Sequence, residues 1–238
     1  KWYGVLGNHD YGYNVTAQTL YKSPNNDRWV LPSRYYTKRV EISSGEYISF
    51  VFLDTNPCVQ DYRNDDPSNW DPCGSSFPSP PDCKFHENIL AESCTDQYNW
   101  LKKTLATIPN DDWKIAVGHH PGDEIDVDDM TSLLQDAGFE LYLNGHTHAL
   151  AYYTLDGKKG DYVTSGAACM VRTNSSLSSQ PKLKLSSASH SYKEVWYSKT
   201  AGFNLHTFSD DFKTLTTYFL DNNGKTLYSF VTTKGQAS

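Results

Sequence analysis

Apolar residues recur along this chain in short runs divided by polar turns, and the period of each run predicts an element. Trp2 to Leu6 is an apolar run of the strand type. Lys38 to Val40 and Tyr47 to Leu53 are β-branched and aromatic and read as strands. Tyr98, Leu101 and Leu105 recur at helical spacing, with Thr95 or Asp96 as the cap and a stop before Pro109. Trp113 to Val117, apolar but for Lys114, reads as a buried-type strand. Asp128 would cap a second helix carrying Met130, Leu133, Leu134 and Ala137, closed by Gly138. Phe139 to Leu143 is a further apolar strand. Strand–helix–strand–helix–strand is the pattern of a parallel sheet with crossover helices.

Beyond His148 the pattern changes to antiparallel pairs. Ala149 to Leu155, a turn at Asp156-Gly157, and Tyr162 to Thr164 predict a hairpin. Phe203 to Phe208, Thr214 to Leu220 and Thr226 to Thr232 predict a meander, with Asp221-Asn222-Asn223-Gly224 as its second turn. Two segments carry no period. Residues 56–94 form a Cys-rich insertion loop rich in Pro, Asp, Asn and Ser, and residues 173–191 form a Ser-rich surface loop. No internal repeat is evident. The expected organisation is one α/β domain over 1–238, finished by antiparallel strands.

Composition narrows the class. The chain has 238 residues, enough to bury a sizeable core. Aromatics make up 14%, which argues against disorder. No stretch reaches the roughly 20 apolar residues of a bilayer span. With 21 basic and 28 acidic side chains the net charge is −7. Nucleic acid and anionic membranes call for a basic surface, so neither is expected as a partner.

Four of the five cysteines, Cys58, Cys73, Cys83 and Cys94, fall within the insertion loop. Two disulfides would staple it, and three pairings are open. A zinc site is the weaker reading, because no C-x₂-C pair is present and His86 stands alone. Cys169, in a small-residue segment, reads as a buried free thiol. Asn14-Val15-Thr16 and Asn174-Ser175-Ser176 are glycosylation sequons. Disulfides and sequons together suggest a secreted or lumenal protein. No signal peptide is visible, so it has been removed or the chain does not begin at its natural start.

The chemistry concentrates in histidines. His9, His119, His146 and His148 each follow a strand-type run, and His120 neighbours one of them. In α/β folds the carboxyl ends of strands face the ligand crevice. Neutral imidazole and an amide oxygen such as that of Asn8 suit zinc or iron. A metal so placed suits phosphoester hydrolysis, because it supplies hydroxide at mild pH.

These segments resemble the purple acid phosphatases. Gly7-Asn8-His9-Asp10, Ala116-Val117-Gly118-His119 and Gly145-His146-Thr147-His148 look like the third, fourth and fifth motifs of that family, closest to its small tartrate-resistant members. Asn14 to Gln18, Leu53-Asp54-Thr55, Trp100 to Lys103, Tyr162 to Ala167 and the ending from Ala201 extend the likeness over nearly the whole chain. The resemblance implies a four-layer α/β/β/α metallophosphoesterase sandwich with a dinuclear metal centre. It implies that Asn8, His119 and His146 bind a second, divalent metal (Fe, Zn or Mn) and that His148 binds Fe(III). It gives His9 the catalytic role of binding the phosphate and protonating the leaving group, with a metal-bound hydroxide attacking a phosphomonoester at acidic pH. It also puts the 173–191 loop near the active site, and the protein in an extracellular, lysosomal or vacuolar space.

The chain departs from the family in three places. The motifs that supply two Asp and one Tyr as further metal ligands are absent and would lie upstream of Lys1. The chain therefore reads as the C-terminal two-thirds of the fold, with a sheet face left exposed. An N-terminal extension or separate fragment of about 70–100 residues is expected as its complement. Asp128 stands where the small phosphatases carry another active-site His, within the acidic run Asp123 to Asp129. The insertion at Cys58–Cys94 is larger than a minimal member requires. These departures motivate an alternative, a catalytically silent phosphatase-fold protein with a structural or binding role in an extracellular assembly. A calcineurin-like phosphodiesterase shares the short motifs but fits the Asn14–Gln18 and C-terminal segments less well.

Overall fold

The computed structural model describes residues 1–22, 27–64, 71–73, 82–155, 157–168, 171 and 190–235. The N-terminal segment holds β1 (Trp2–Tyr3), a short helix α1 (Ala17–Leu20) and β2 (Trp29–Val30), with β1 and β2 paired in parallel. Then come β3 (Tyr36–Ser43), β4 (Glu46–Phe52), α2 (Gln60–Arg63), α3 (Phe85–Leu90) and α4 (Cys94–Leu105). The alternation that follows is β5 (Trp113–Val117), α5 (Met130–Asp136), β6 (Leu141–Asn144), β7 (Leu150–Leu155) and β8 (Asp161–Ser165). The chain closes with β9 (Tyr192–Ser198), β10 (Gly202–Phe208), β11 (Thr214–Asp221) and β12 (Thr226–Thr233).

Seven strands form one sheet in the order β3-β4-β5-β6-β8-β7-β9. Its centre, β4-β5-β6-β8, is parallel, as the alternating pattern predicts, and β3, β7 and β9 add antiparallel edges. β10, β11 and β12 form the predicted meander as a separate three-stranded sheet. On one face of the large sheet, Leu101 of α4 and Met130 and Leu134 of α5 pack on Val51, Leu53, Ala116 and Tyr142. On the other face, Trp113, Ile115, Leu150, Tyr152 and Val163 meet Leu215 and Phe219 of the meander. The Tyr152 and Phe230 rings stack with centroids 3.8 Å apart, and Trp113 Nε1 donates to Phe212 O at 2.9 Å. Each fully buried aliphatic side chain here contributes about 1.5–3 kcal/mol. The described residues thus supply a helix layer and two sheet layers of the four-layer sandwich that the resemblance implies. The outer face of the meander leaves Phe203, Leu205 and Val231 exposed at 44%, 47% and 58%.

Several expectations need correction. Trp2 to Leu6 is a strand only at Trp2–Tyr3; Leu6 turns into the core with Tyr11, Leu31 and Phe52. The first long helix is capped by Ser93, whose side chain accepts from Asp96 N, and the second by Asp129, which accepts from Ser132 N. Asp128 instead accepts from Thr95 Oγ1 at 2.9 Å. The 56–94 segment is not all loop. It contains α2 and α3, whose Tyr62, Phe85 and Ile89 join the core. The disulfides are Cys58–Cys94 and Cys73–Cys83, which settles the open pairing. Cys169, Asn174 and positions 173–189 of the Ser-rich loop lie outside the described residues. Asn14 is exposed, and its Oδ1 accepts from Thr16 N and Thr16 Oγ1 at 3.1 and 2.9 Å.

Candidate metal centre

Strands β4, β5 and β6 lie side by side and in parallel, so the loops that follow them open on one edge of the sheet. The loops knit to one another through their backbones. Leu53 N donates to Val117 O at 2.8 Å, Gly118 N to Leu143 O at 2.9 Å, and Gly145 N to His119 O at 3.0 Å. His119 and His146 are therefore carried on extensions of the sheet.

Thr55, fully buried after β4, is the node beneath these loops. Its Oγ1 accepts from His119 N at 3.2 Å and His120 N at 3.1 Å, and lies 2.7 Å from His120 Nδ1. A hydroxyl already accepting two N–H groups gives its own proton to the third partner. His120 is then the Nε2–H tautomer, with that proton directed at Tyr62 OH, 3.0 Å away. Burial holds this imidazole well below its ordinary pKa, so it stays neutral. Close packing is required above Thr55. A Cβ at Gly118 would meet the Tyr142 hydroxyl, and would lie 2.7 Å from the Thr55 methyl.

Asn8 and His9 arrive on a one-turn 3-10 helix, Asn8–Gly12. This turn is clamped from below and from the side. Asp54, fully buried, accepts from Tyr11 OH at 2.5 Å, Arg34 Nη1 at 3.1 Å and Asn56 Nδ2 at 2.9 Å. Asn88 of α3 donates its amide to Tyr11 O and Tyr13 O, both at 2.7 Å, and Lys84 N donates to Gly12 O at 2.7 Å.

The result is a meeting of three side chains from three loops. Asn8 Oδ1 lies 3.1 Å from His119 Nε2, which lies 3.2 Å from His146 Nδ1. Ligand atoms of His119, His120 and His146 all fall within 4.8 Å of one another. Both His120 nitrogens already face hydroxyls, which leaves Asn8, His119 and His146 as the donor set. That set fits a divalent metal. An amide oxygen and two imidazole nitrogens, successively 3.1 and 3.2 Å apart, are three donors suited to zinc or iron. His148 is outside this cluster of three. It stays coupled to it, because burial first, and the His9 and His148 charges second, push His119 down to about 4. His9 is exposed and His148 half-buried. His146 and His148 both adopt left-handed backbone, φ 61° and 53°, a strained choice for a non-glycine residue and one that concentrates at functional sites.

Thr55, Asp54 and Glu124 carry no histidine-type signal and were not candidates from spacing. Thr55 and Asp54 have a faint one, the position directly after an apolar strand. Glu124 lies in the acidic run, with its Oε2 3.4 Å from His146 Nε2. Its neighbour Asp123 is pushed up to about 6 by burial.

The calcineurin-like phosphoesterase family model matches residues 1–150. Purple acid phosphatase 7 of Arabidopsis thaliana is 33% identical over 175 residues, 70% of this chain and 48% of that protein. Tartrate-resistant acid phosphatase type 5 of Mus musculus is 34% identical over 175 residues, again 70% of this chain and 48% of that protein. The chain thus spans about half the length of the curated relatives it matches. Among solved structures, GAP50, the anchor in the inner membrane complex of Plasmodium, superposes with a TM-score of 0.62 over 98% of this chain and 66% of that one. At 21% identity that likeness is one of fold. The family model covers well over half of the chain and includes all three histidine-bearing motifs, so the chain belongs to the calcineurin-like phosphoesterases, with the purple acid phosphatases as its kin.

Proposed function

We propose that this chain, as one domain over 1–238, carries metal-binding machinery of an acid phosphatase acting on phosphomonoesters. The observation that carries the reading is the approach of Asn8 Oδ1, His119 Nε2 and His146 Nδ1, at 3.1 and 3.2 Å, from three separate loops. Asn8, His119 and His146 hold a divalent metal (Fe, Zn or Mn), and His148 contributes to a neighbouring Fe(III) position. When bound, such metals supply Lewis acidity toward a phosphoryl oxygen and toward water. His9, exposed beside Asn8, hydrogen-bonds the phosphate and gives a proton to the leaving-group oxygen. That donation requires the imidazolium form, hence an acidic working range. The two disulfides support a secreted or lumenal setting, extracellular, lysosomal or vacuolar. Among the described residues no helix is long and apolar enough to cross a membrane.

A second reading has its own support. The three donors are all neutral, and Asp128, at the position where the small phosphatases carry a histidine, bonds to Thr95. A phosphatase-fold protein that binds an assembly partner without turnover would show both features. Elemental analysis, a visible spectrum and p-nitrophenyl phosphate turnover separate the two. Bound metal with chelator-sensitive turnover supports the phosphatase. Metal-free, colourless, inactive protein rejects it in favour of the binding role.

A further inference from the structure

We propose that Glu124 is a positioning residue that fixes which nitrogen of His146 faces the metal; the assignment rests on the metal-site reading above. The His146 ring has two different neighbours on its two nitrogens. Nδ1 faces His119 Nε2 at 3.2 Å, and Nε2 faces Glu124 Oε2 at 3.4 Å. The His146 side chain is only 2% exposed and that of Glu124 is 21% exposed, so solvent competes little for either group.

The ring has little freedom to choose otherwise. It packs between His119 and His120, with centroids 5.0 and 4.4 Å away. Its backbone is held in the left-handed region. Glu124 is equally constrained. It ends a one-turn 3-10 helix, Gly122–Glu124, in which Glu124 N donates to Pro121 O at 3.1 Å. That helix is pinned by buried Ile125 and by close contact of Gly122 with Tyr192, where a Cβ would lie 3.0 Å from the ring.

An imidazole that binds a metal through one nitrogen carries its single N–H on the other. A carboxylate opposite Nε2 draws the proton there and leaves the Nδ1 lone pair facing Asn8 and His119. With Nδ1 protonated instead, His146 would be a donor where the metal needs an acceptor. The carboxylate also brings negative charge to a donor set that has none, and ligand-orienting partners of this kind are typically worth about 10–100-fold in metal affinity.

The test uses the whole chain with Glu124→Ala and Glu124→Gln. Two-dimensional ¹⁵N NMR of metal-free protein reads the His146 tautomer, and calorimetry with zinc chloride reads affinity. Wild type should show Nε2–H. E124A should lose that preference and about 10–100-fold in zinc affinity. E124Q, whose amide oxygen can face Nε2–H as the carboxylate does, should keep the tautomer and recover part of the affinity. An Nδ1–H tautomer in wild type, or E124A with unchanged tautomer and zinc affinity within twofold of wild type, overturns the assignment. Wild type that takes up no zinc overturns the metal-site reading, while the NMR comparison still decides the role of Glu124.

Discussion

Asn8 Oδ1 and His119 Nε2 lie 3.1 Å apart although 111 positions separate them in the chain. The amide oxygen and the imidazole nitrogen are both donors suited to a divalent cation. Asn8→Ala removes one donor and should weaken divalent metal binding at least tenfold, about 1.4 kcal/mol or more. His120→Phe makes the contrast. It leaves the Thr55 and Tyr62 hydroxyls without their imidazole partner in a buried site, which costs about 2–4 kcal/mol of stability. Metal affinity should stay within about threefold of wild type, because His120 is not a donor to the metal in this arrangement. Calorimetric titration with zinc, set beside thermal unfolding, reads both; a His120→Phe protein that folds but loses metal would refute the division of roles.

Gly118→Ala tests the packing that holds His119. Its Cβ would press on the Tyr142 hydroxyl and on Thr55, both fully enclosed, and should cost about 1–3 kcal/mol. Tyr142→Phe removes the hydroxyl that clashes, so the double variant should be less destabilised than the sum of the single ones. Urea denaturation of the four proteins gives the cycle, and simple additivity would rule out this contact as the cause.

How much was legible in the chain follows from what each element depends on. β5 could be read to the residue, because its run, apolar but for Lys114, is fenced by Asp112 and Gly118. Trp2 to Leu6 has the same character and still yields only a two-residue strand, because Leu6 is spent on the core beneath the Asn8 turn. β9 was missed. Its order comes from pairing with β7 and not from any alternation of its own. The helix caps were offset because Ser93, Thr95 and Asp96 are all capable caps, and only backbone direction selects Ser93. In the site, His119 and His146 were visible because a histidine after a buried strand is chemically loud. Thr55 and Glu124 were not, because their roles arise from the adjacency of β4, β5 and β6, which no local spacing encodes.

The Cys73–Cys83 disulfide sits against the back of the candidate site. A Cβ at Gly12 would lie 3.2 Å from Cys83 Sγ, and the following residues reach α3, whose Asn88 holds the backbone of Tyr11 and Tyr13. Replacing both cysteines with serine should cost about 2–3 kcal/mol, as expected for closing so short a loop. The loss should be felt locally as well. Amide exchange at Tyr11 to Tyr13 should accelerate beyond the global change, and zinc binding should weaken. Exchange that rises uniformly across the molecule would mean that the bridge stabilises the fold without holding this turn.

His206, on the meander and remote in sequence from the histidine motifs, sets a pH dependence that metal does not confuse. Burial pushes it down to about 4, and its Nδ1 lies 2.9 Å from Thr217 Oγ1. The unfolded chain takes up its proton near the ordinary histidine value of about 6.5, while the folded protein does so only near 4. Between those values the unfolded state binds more protons, so stability falls as the pH is lowered through that window. Above it neither state is protonated and the group contributes nothing to the slope. His206→Gln lacks this penalty. At pH 7 the variant should be the less stable protein, having lost a fitted ring. Its deficit should shrink by about 2 kcal/mol on going to pH 4, after allowance for the partial exposure of the site. Buried carboxylates such as Asp123, which titrate in the opposite sense, are common to both proteins and cancel in the difference. Chemical denaturation of the pair at pH 7, 6, 5 and 4 measures it, and a stability difference that stays constant across the series would show that His206 is not held neutral in the folded protein.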